Sequence, residues 1–236
     1  MEKKDMKRSE LLIIIPAYNE EENIKTVVTT IQEKYSQYDY IVVNDGSRDK
    51  TAEICCKNGY ELLNLPVNLG LSGAFQAGLK YANIKGYSYA IQFDADGQHR
   101  PEYIEPMLDK IKKGYDIVIG SRFFKYKKGN SLRMLGSKMI TIAIKMTTGV
   151  RVSDPTSGMR MFSRKMIKEF ALNLNYGPEP DTISYLIKNG AQISEVPVHM
   201  EERMGGESYL NLVNSFKYMF KMLISILLVQ NFRKRG

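Results

Sequence analysis

Several residue types on which common protein classes depend are scarce in this sequence. The chain of 236 residues has two cysteines, Cys55 and Cys56, and because they are adjacent they provide no framework of disulfide bonds. Histidine occurs twice, as His99 and His199, and neither position indicates a Ser-His-Asp or Cys-His catalytic arrangement. The scarcity of cysteine is typical of a reducing compartment.

Long uninterrupted hydrophobic runs are also missing. The N-terminal residues 1–8 are mainly charged, and the first apolar run, from Leu11, is only as long as a strand, so no signal peptide is predicted. The uncharged run from Met222 to Phe232 is shorter than the roughly 20 apolar residues that span a bilayer. The sequence therefore predicts no helix that crosses a membrane.

The segment at 209–236 is nevertheless strongly apolar, and it ends in Arg233-Lys234-Arg235. Helical spacing places its large apolar residues along one stripe: Leu212, Phe216, Phe220, Leu223 and Leu227. A helix of the hydrophobic core is one interpretation. A helix in the membrane interface, or against a membrane protein, is the other, and the basic end favours it because anionic headgroups attract such residues.

Acidic residues are absent between Asp116 and Asp154, in a chain with a net charge of +8. Eight basic residues lie in this acid-free stretch: Arg122, Lys125, Lys127, Lys128, Arg133, Lys138, Lys145 and Arg151. A solvated face usually mixes charges of both signs, so the stretch indicates phosphate, anionic lipid or nucleic acid as a partner. Nucleic acid is disfavoured, because no recognition helix and no basic motif with interleaved aromatic residues occurs. A basic surface without a ligand is the alternative.

The first 120 residues alternate between strand-like and helix-like patterns. Strands are predicted at 11–15, 40–43, 61–65, 87–93 and 116–119, and helices at 20–34, 49–57, 72–82 and 101–113. This alternation predicts an α/β fold with a mainly parallel sheet flanked by helices on both faces. Beyond residue 120 it lapses into a late strand at 193–198 and a helix at 131–148, whose apolar side is formed by Leu132, Leu135, Met139, Ile142 and Met146.

The most informative motif follows the fourth predicted strand, where Phe93-Asp94-Ala95-Asp96-Gly97-Gln98 places two carboxylates one residue apart. Two acids are too costly to bury unpaired in a core. They are better placed at the carboxyl ends of the strands, where ligands bind in α/β sheets. Carboxylates at this spacing can hold a hard divalent cation, which in turn holds a diphosphate. An acidic turn that only ends the strand is the alternative.

Four other polar, turn-rich segments follow predicted strands. They are Ile15-Pro16-Ala17-Tyr18-Asn19-Glu20, Asn44-Asp45-Gly46-Ser47, Asn68-Leu69-Gly70-Leu71-Ser72-Gly73 and Gly120-Ser121-Arg122-Phe123. Because the carboxyl ends of parallel strands share one edge of a sheet, all five segments should converge there. One such segment is a weak signal, but five in order on successive strands predict a common ligand site.

This ordered set of motifs resembles the family 2 glycosyltransferases of the GT-A fold. More narrowly, it resembles the branch that contains dolichyl-phosphate mannose synthase and bacterial undecaprenyl-phosphate sugar transferases. The resemblance covers residues 10–208, preceded by a basic tail at 1–9 and followed by an amphipathic helix at 209–236. It implies a metal-dependent inverting enzyme that moves a sugar from a UDP- or GDP-sugar to a polyprenyl phosphate, with Mg²⁺ or Mn²⁺ as cofactor. Together with the apolar, basic C-terminal segment, this activity predicts a cytoplasmic protein at the inner face of the membrane, bound directly or through a small membrane protein.

The resemblance also implies roles for individual residues. The donor would contact Pro16, Ala17, Tyr18, Glu20, Asp45, Gly70 and Asp94. The metal ion would be held by Asp96 and Gln98. The acceptor would be bound by cations of the acid-free stretch, by a segment at 154–160 that resembles one beside the acceptor in this branch, and by a segment at 203–208 that resembles the family's mobile loop. The candidates are Arg122, Arg133, Ser157, Arg160 and Arg203. The catalytic candidates are Asp94, Asp96 and Asp181.

The acceptor decides whether the reaction needs a base. A sugar hydroxyl must lose a proton, and Asp181 lies where inverting relatives often keep a carboxylate for that purpose. A lipid phosphate is mostly ionised near pH 7, because its second pKa is about 6, and it needs cations such as Arg122, Arg133 and Lys138 instead. The acid-free stretch favours the phosphate. Extension of a cell-wall or surface polysaccharide, or of another lipid-linked glycan, is the alternative.

Two further classes deserve comparison with this interpretation. A sugar nucleotidyltransferase normally has a glycine-rich basic loop after its first strand, where this chain has Pro16-Ala17-Tyr18-Asn19-Glu20. A non-catalytic subunit that binds a nucleotide-sugar for a membrane complex agrees with the loops, but it has no need of the intact acidic motif.

Overall fold

The computed structural model describes residues 9–123, 132–174, 176–201 and 212–232. Within these ranges seven strands pair into one sheet: β1 (Leu11–Ala17), β2 (Asp39–Asp45), β3 (Leu62–Leu65), β4 (Tyr89–Gln92), β5 (Ile117–Ser121), β6 (Arg160–Ser163) and β7 (Ile193–Pro197). Their order in the sheet is β3-β2-β1-β4-β6-β5-β7. Strand β6 is antiparallel to β4 and β5, and the other pairings are parallel. The predicted mainly parallel sheet is confirmed.

Helices cover both faces of the sheet. In the described residues they are α1 (Ile24–Lys34), α2 (Thr51–Lys57), α3 (Gly70–Lys85), α4 (Ile104–Ile111), α5 (Leu132–Thr148), α6 (Arg164–Leu172), α7 (Pro180–Lys188) and α8 (Leu212–Leu227), with 3₁₀ turns at Pro101–Tyr103 and Val229–Phe232. Alternate residues of β1 face opposite layers, as a pleated strand requires. Leu11, Ile13 and Ile15 pack with α1, α2 and α4, while Leu12 and Ile14 face the layer formed by the other helices.

Helix α3 lies close to the centre of the sheet because Gly78 has no side chain. A Cβ atom at that position would lie 2.3 Å from Ile14 Cγ2 in β1. On the same helix Phe75 and Leu79 are fully buried against the sheet. This contact holds the first residue of α3, Gly70, near the carboxyl ends of the central strands.

Helix α8 packs against α5 and α7 through a buried side that contains Met219, Met222 and Ile226. Gly136 of α5 makes the approach close, since a Cβ atom there would lie 1.6 Å from Met219 Sδ. The helix is therefore part of the hydrophobic core on one side. No helix in the described part of the chain is long and apolar enough to cross a membrane.

Polar contacts also join α8 to α7 and α3. Glu179, directly before α7, accepts hydrogen bonds from the hydroxyl groups of Ser72 in α3 and Tyr218 in α8. Burial, and then the negative charge of Glu179, raises the pKa of Tyr218 well above its ordinary value, so the hydroxyl stays protonated and donates. One carboxylate thus connects three helices.

Candidate active site

The candidate site lies along one edge of the sheet. This edge holds the carboxyl ends of β1, β2, β4 and β5 and, because β6 runs in the opposite direction, the first residue of β6. The segments that the sequence predicts to converge follow strands that share this edge, and hydrogen bonds directly connect the loops after β1 and β2 and the loop before α3. The loop before β6 also lies at this edge, because β6 is antiparallel to its neighbours. In an all-parallel sheet, that loop would lie at the opposite edge.

The loops after β1 and β2 are joined by hydrogen bonds of Asn19. Its backbone N–H donates to Ser47 Oγ at 3.0 Å, and its Oδ1 accepts the Arg48 N–H at 2.9 Å. Asn19 has a left-handed backbone, with a φ of 54°, which asparagine tolerates better than most residues. The next residue, Glu20, donates its N–H to Thr51 Oγ1 at 2.9 Å. The two loops form one connected unit that carries the predicted donor residues Pro16, Ala17, Tyr18 and Glu20.

An open groove of about 340 Å³ lies where these two loops meet. Its lining is polar and consists of Asn19, Glu21, Glu22, Asn23, Arg48 and Asp49. Glu20 is largely buried, and its Oε2 accepts from Asn23 Nδ2 at 2.8 Å, so it orients one of the lining residues. The sequence motifs predicted Glu20 as a site residue but neither Arg48 nor Asp49. These two reach the groove only because folding brings the loops after β1 and β2 together.

Asp45 is buried at the end of β2 and fixes the loop before α3. The residue is 2% exposed, and its Oδ1 accepts the Leu69 N–H at 2.7 Å. Burial raises the pKa of Asp45, and the N–H groups of Leu69 and Gly70 act in the opposite direction. The following Gly46 has a φ of 65°, and a Cβ atom there would lie 2.8 Å from Asn68 N. Predicted donor residues Asp45 and Gly70 are thereby brought together.

Asp45→Asn is expected to preserve or raise stability and to weaken nucleotide binding by about tenfold. Since the folded-state pKa is raised, the stability linked to Asp45 is fully present below its ordinary pKa and falls as pH rises through the raised value. A neutral amide avoids the free-energy cost of burying a charged carboxylate at pH 7. Its oxygen can still accept the Leu69 N–H, but an NH₂ group then replaces the second carboxylate oxygen. Thermal unfolding and nucleoside diphosphate titration, each with and without Mn²⁺, measure both effects. An affinity loss seen only with metal would move Asp45 to the metal site.

The loop after β4 presents Asp94, Asp96 and Gln98 at the same edge. The Asp94 side chain is 23% exposed, and its Oδ1 accepts from Gln92 Nε2 at 2.8 Å. Asp96 is half-buried, and its Oδ1 accepts the Gln98 N–H at 3.0 Å. The Gln98 carbonyl accepts the Glu201 N–H at 3.0 Å, which attaches the loop to the segment after β7.

These side chains supply oxygen atoms, the ligands that Mg²⁺ and Mn²⁺ prefer. Within the described ranges, no group of three or more histidine, cysteine or acidic side chains is placed to hold a metal ion. Mg²⁺ sites commonly take one or two carboxylates from the protein and further oxygens from substrate phosphates. Asp96, with Asp94 and Gln98 beside it, therefore fits a cation whose coordination a diphosphate completes.

Arg122, a predicted phosphate ligand, is already paired with an acid. Its Nε and Nη2 donate to Asp154 Oδ2 and Oδ1 at 2.7 and 2.9 Å, and its backbone N–H donates to Oδ2 at 3.1 Å. The Asp154 side chain is completely buried, whereas that of Arg122 is 33% exposed. The acid-free stretch therefore has an acidic neighbour in the folded protein, because Asp154, the first acid after it, pairs with Arg122, its first cation.

Glu195 of β7 holds the loop that carries Asp154. Both of its carboxylate oxygens accept the Ser153 N–H at 3.0 Å, and its Oε1 accepts the Asp154 N–H at 3.1 Å. Glu195 therefore fixes Asp154, which in turn fixes Arg122. The sequence does not reveal these contacts, because 41 residues separate Glu195 from Asp154 and 32 separate Asp154 from Arg122.

The other acceptor candidates are less accessible. Ser157 is completely buried and donates to a carbonyl of β5 at 2.5 Å. Arg160 is 5% exposed and donates to the carbonyls of Pro155, at 2.8 Å, and Pro178. Their geometry favours a role in holding loops together over contact with an acceptor. Two candidates lie outside the described residues: Arg203 and the side chain of Arg133.

The candidate base, Asp181, faces α8. It is 5% exposed in the first turn of α7. Its Oδ1 accepts the Thr182 N–H at 2.9 Å, and its Oδ2 accepts the Ser225 hydroxyl at 2.5 Å. A carboxylate that is buried and bonded in this way is better suited to joining two helices than to taking a proton from an acceptor.

Two named relatives match most of the chain. Polyprenol monophosphomannose synthase of Mycolicibacterium smegmatis is 31% identical over 227 residues, which cover 89% of this chain and 84% of that protein. UDP-N-acetylglucosamine–dolichyl-phosphate N-acetylglucosaminyltransferase of Methanococcus voltae is 30% identical over 241 residues, which cover 91% and 95%. Both alignments extend over nearly the whole length of the two proteins compared.

A solved structure and a family profile agree with the fold. Glucosyl-3-phosphoglycerate synthase from Mycobacterium tuberculosis, in complex with Mn²⁺, UDP and phosphoglyceric acid, has a TM-score of 0.70 at 20% identity and covers 95% of this chain and 78% of that one. This likeness concerns the fold, and the expected GT-A architecture is confirmed. Residues 12–170 match the profile of glycosyl transferase family 2. The chain therefore belongs to glycosyl transferase family 2 and is a glycosyltransferase, as its motifs predict.

Proposed function

We propose that this glycosyltransferase moves a sugar from a nucleoside diphosphate sugar to a polyprenyl phosphate at a membrane surface. The two relatives described above are named for transfer to polyprenol or dolichyl phosphate, and the related solved structure contains Mn²⁺ and UDP. The observation that carries the proposal is a surface formed by α5 and α8.

Both helices expose large apolar side chains, which together we name the apolar face. It consists of Leu135, Met139, Ile142 and Met146 of α5 and Phe220, Ile224 and Leu227 of α8. These side chains are 40–75% exposed. Rows of exposed apolar residues on a soluble protein commonly mark an interaction surface. The buried residues of α8 lie on its other side, so the helix has apolar residues both towards the core and towards solvent.

The charge of the two helices matches a lipid partner. Within their bounds they contain no acidic residue, and they carry Lys138, Lys145, Lys217 and Lys221. Apolar residues flanked by lysines are typical of helices that lie in the interface of an anionic bilayer. A polyprenyl phosphate has its chain in the bilayer and its phosphate at that interface. An enzyme bound through the apolar face would therefore meet its acceptor at the membrane surface.

On the donor side, Asp45 and the first two loops bind the nucleoside, and Asp96 with Gln98 holds the cation on the diphosphate. A cation at this place acts as a Lewis acid that stabilises the charge of the departing diphosphate. Asp94, two residues before Asp96, accepts hydrogen bonds from hydroxyl groups of the donor. The half-buried positions of Asp94 and Asp96 support these roles.

On the acceptor side, a phosphate needs no base, because it is mostly ionised near pH 7. One of its oxygens forms a bond to the anomeric carbon while the bond from that carbon to the diphosphate breaks. The electron pair leaves with the diphosphate, and the configuration at the carbon inverts. The burial of Asp181 supports this acceptor over a sugar hydroxyl, which would require a base.

The test is a transfer assay with defined donors and acceptors. The protein is incubated with Mn²⁺ or Mg²⁺, one UDP- or GDP-sugar at a time, and a short-chain polyprenyl phosphate in detergent. We expect one donor to yield a glycolipid from which mild acid releases the sugar. The matching polyprenyl alcohol, which lacks the phosphate, should yield none. Transfer to an oligosaccharide but not to the lipid phosphate would overturn the acceptor assignment.

The apolar face can be tested separately. Ile142→Glu combined with Phe220→Glu is expected to weaken binding to anionic vesicles by about tenfold or more, since burial of each side chain contributes about 1.5–3 kcal/mol. Vesicle co-sedimentation measures the effect. The matched control is Ile84→Glu with Leu172→Glu, because these residues are 81% and 71% exposed on α3 and α6, outside the apolar face. Equal losses in the two double variants would contradict docking through α5 and α8.

A further inference from the structure

His99 closes the loop after β4 from inside the protein. We name this loop, residues 94–98, the acidic loop. The residue is 5% exposed, and its Nδ1 accepts the Asp94 backbone N–H at 2.9 Å. Its ring packs edge-on against Phe93, with ring centroids 5.5 Å apart at an interplanar angle of 75°. One buried side chain at the end of the loop thus fastens its beginning, and Asp96 and Gln98 are presented between these two points.

The hydrogen bond to Nδ1 also fixes the tautomer of His99. A ring nitrogen that accepts a hydrogen bond carries no proton, so the hydrogen of the neutral ring is on Nε2. Nε2 lies 3.5 Å from Asp94 Oδ2, a longer separation than an ordinary N–H···O bond. The Nε2–H group therefore lies beside the carboxylate without a full hydrogen bond, and Oδ2 is able to accept a stronger hydrogen bond from a ligand.

Asp94 is confined from other directions as well. Gln92 Nε2 donates to Oδ1 at 2.8 Å. A Cβ atom at Gly158 would lie 2.6 Å from Oδ2 and 3.4 Å from His99 Cε1. The lack of a side chain at position 158 therefore gives the carboxylate its space. With both oxygens constrained and 23% of the side chain exposed, Asp94 presents a directed acceptor to the edge of the site.

We propose that His99 is a positioning residue of the transfer reaction. Its Nε2–H sets the direction of Asp94 Oδ2, and its Nδ1 sets the shape of the loop that presents Asp96 and Gln98. The inference rests on the proposed function and deepens it, because it names how the hydroxyl groups of the transferred sugar meet an oriented carboxylate. His99 acts through Asp94 and has no contact with the reacting atoms.

Three substitutions separate the contributions of the two nitrogens. His99→Asn keeps an oxygen acceptor near the position of Nδ1 but has no group at the position of Nε2. His99→Gln carries an amide N–H near the position of Nε2 and lacks the acceptor close to the backbone. Gly158→Ala moves Asp94 Oδ2 directly and leaves the His99 side chain unchanged.

We expect His99→Asn to keep the wild-type melting temperature and its affinity for a nucleoside diphosphate with Mn²⁺, while kcat/KM for the nucleotide-sugar falls about tenfold. Gly158→Ala should lower kcat/KM to a similar degree. His99→Gln should also weaken nucleoside diphosphate binding, by about tenfold, because the loop is no longer closed. Wild-type kinetics of His99→Asn would overturn the proposal.

A double-mutant cycle tests whether His99 acts through Asp94. In the Asp94→Asn background, His99→Asn should cost little further activity, because the carboxylate that it orients is already gone. Losses that simply add would show that the two residues act independently, and the positioning role would be wrong. A role limited to folding predicts instead that activity and melting temperature fall together in all His99 variants.

One measurement is independent of the substrate. Nitrogen–proton correlation spectra of ¹⁵N-labelled protein report which ring nitrogen of His99 carries the hydrogen, and we expect Nε2. A hydrogen on Nδ1 would overturn the proposal whatever the enzyme transfers. If instead the polyprenyl phosphate is the wrong acceptor, the donor-side kinetics with the true acceptor and the spectra still test His99. The two failures are therefore distinguishable.

Discussion

Replacing Asp96 with Asn is expected to lower the rate of sugar transfer by about 10²–10³-fold, as the loss of a group that stabilises developing negative charge does in other enzymes. Asp96 is half-buried at the candidate edge, and its Oδ1 accepts the Gln98 N–H at 3.0 Å. Asparagine keeps an oxygen for that bond but lacks the charge that holds a divalent cation. The loop should keep its shape, while the diphosphate loses its counter-ion. Initial rates over a series of Mn²⁺ concentrations measure the effect.

Asp109→Asn is the matched control for this change. Asp109 is an exposed aspartate on α4, so its replacement removes the same charge away from the acidic loop. It should alter neither the rate nor its dependence on Mn²⁺. The melting temperature of Asp96→Asn should equal that of the wild type. Wild-type turnover by Asp96→Asn in the presence of metal would remove Asp96 from the metal site.

The second large effect is on stability. Arg122→Ala is expected to lower the free energy of unfolding by about 3 kcal/mol, because a completely buried Asp154 carboxylate loses its ion-pair partner. This value is at the lower end of the destabilisation expected for breaking a buried ion pair, because the Arg122 side chain is 33% exposed and solvent screens its charge. Urea unfolding measures the loss. Adding Asp154→Asn to Arg122→Ala should restore part of it, because a neutral amide needs no cation. Unchanged stability of Arg122→Ala would contradict the pairing.

This coupling decides how a role of Arg122 in acceptor binding must be tested. Arg122→Lys keeps the positive charge but loses the two-pronged contact of the guanidinium. It is expected to raise KM for the polyprenyl phosphate about tenfold and to leave KM for the nucleotide-sugar unchanged. Arg151→Ala, an exposed cation of the same acid-free stretch, is the control. Equal changes in both KM values would contradict the acceptor role.

Local patterns in the sequence predict most of the sheet and the edge at which the candidate residues lie. An apolar run that ends in polar turn residues identifies a strand and its carboxyl end together, so Asp45 and Asp94 could be placed before the fold was known. Strand β6 could not be predicted in this way. It has four residues, Arg160–Ser163, and it pairs only with strands that are distant in the sequence.

Periodicity identified the apolar stripes of α5 and α8 but not the direction in which they face. The buried apolar side chains of α5, among those that the structure describes, are Ile140, Ala143 and Ile144, whereas Met139 and Ile142 of the predicted stripe are exposed. When a helix has apolar residues on two sides, both sides show the same helical periodicity, so periodicity does not tell which side is buried. Only the packing of α5 against α8 separates the side that contacts the core from the side that faces solvent.

Pairing across long sequence distances was also beyond prediction from local patterns. Charge composition made Arg122 look like a free cation, and motif position made Asp181 look like a base. Both side chains have partners that folding brings from afar, Asp154 and Ser225. Residue type and local spacing therefore predicted which loops meet at one edge of the sheet, while the state of the individual charges depends on tertiary contacts.

The place of α8 in the chain makes the folding of this domain strongly non-local. During synthesis all seven strands and the acidic loop leave the ribosome before α8, yet Met219, Met222 and Ile226 fill the space beside α5 and α7. Until α8 arrives, α5 has apolar residues uncovered on both of its sides. Such intermediates aggregate readily unless another surface covers them. Under the proposed function, the bilayer on which the apolar face docks would also shelter the nascent chain while α8 docks.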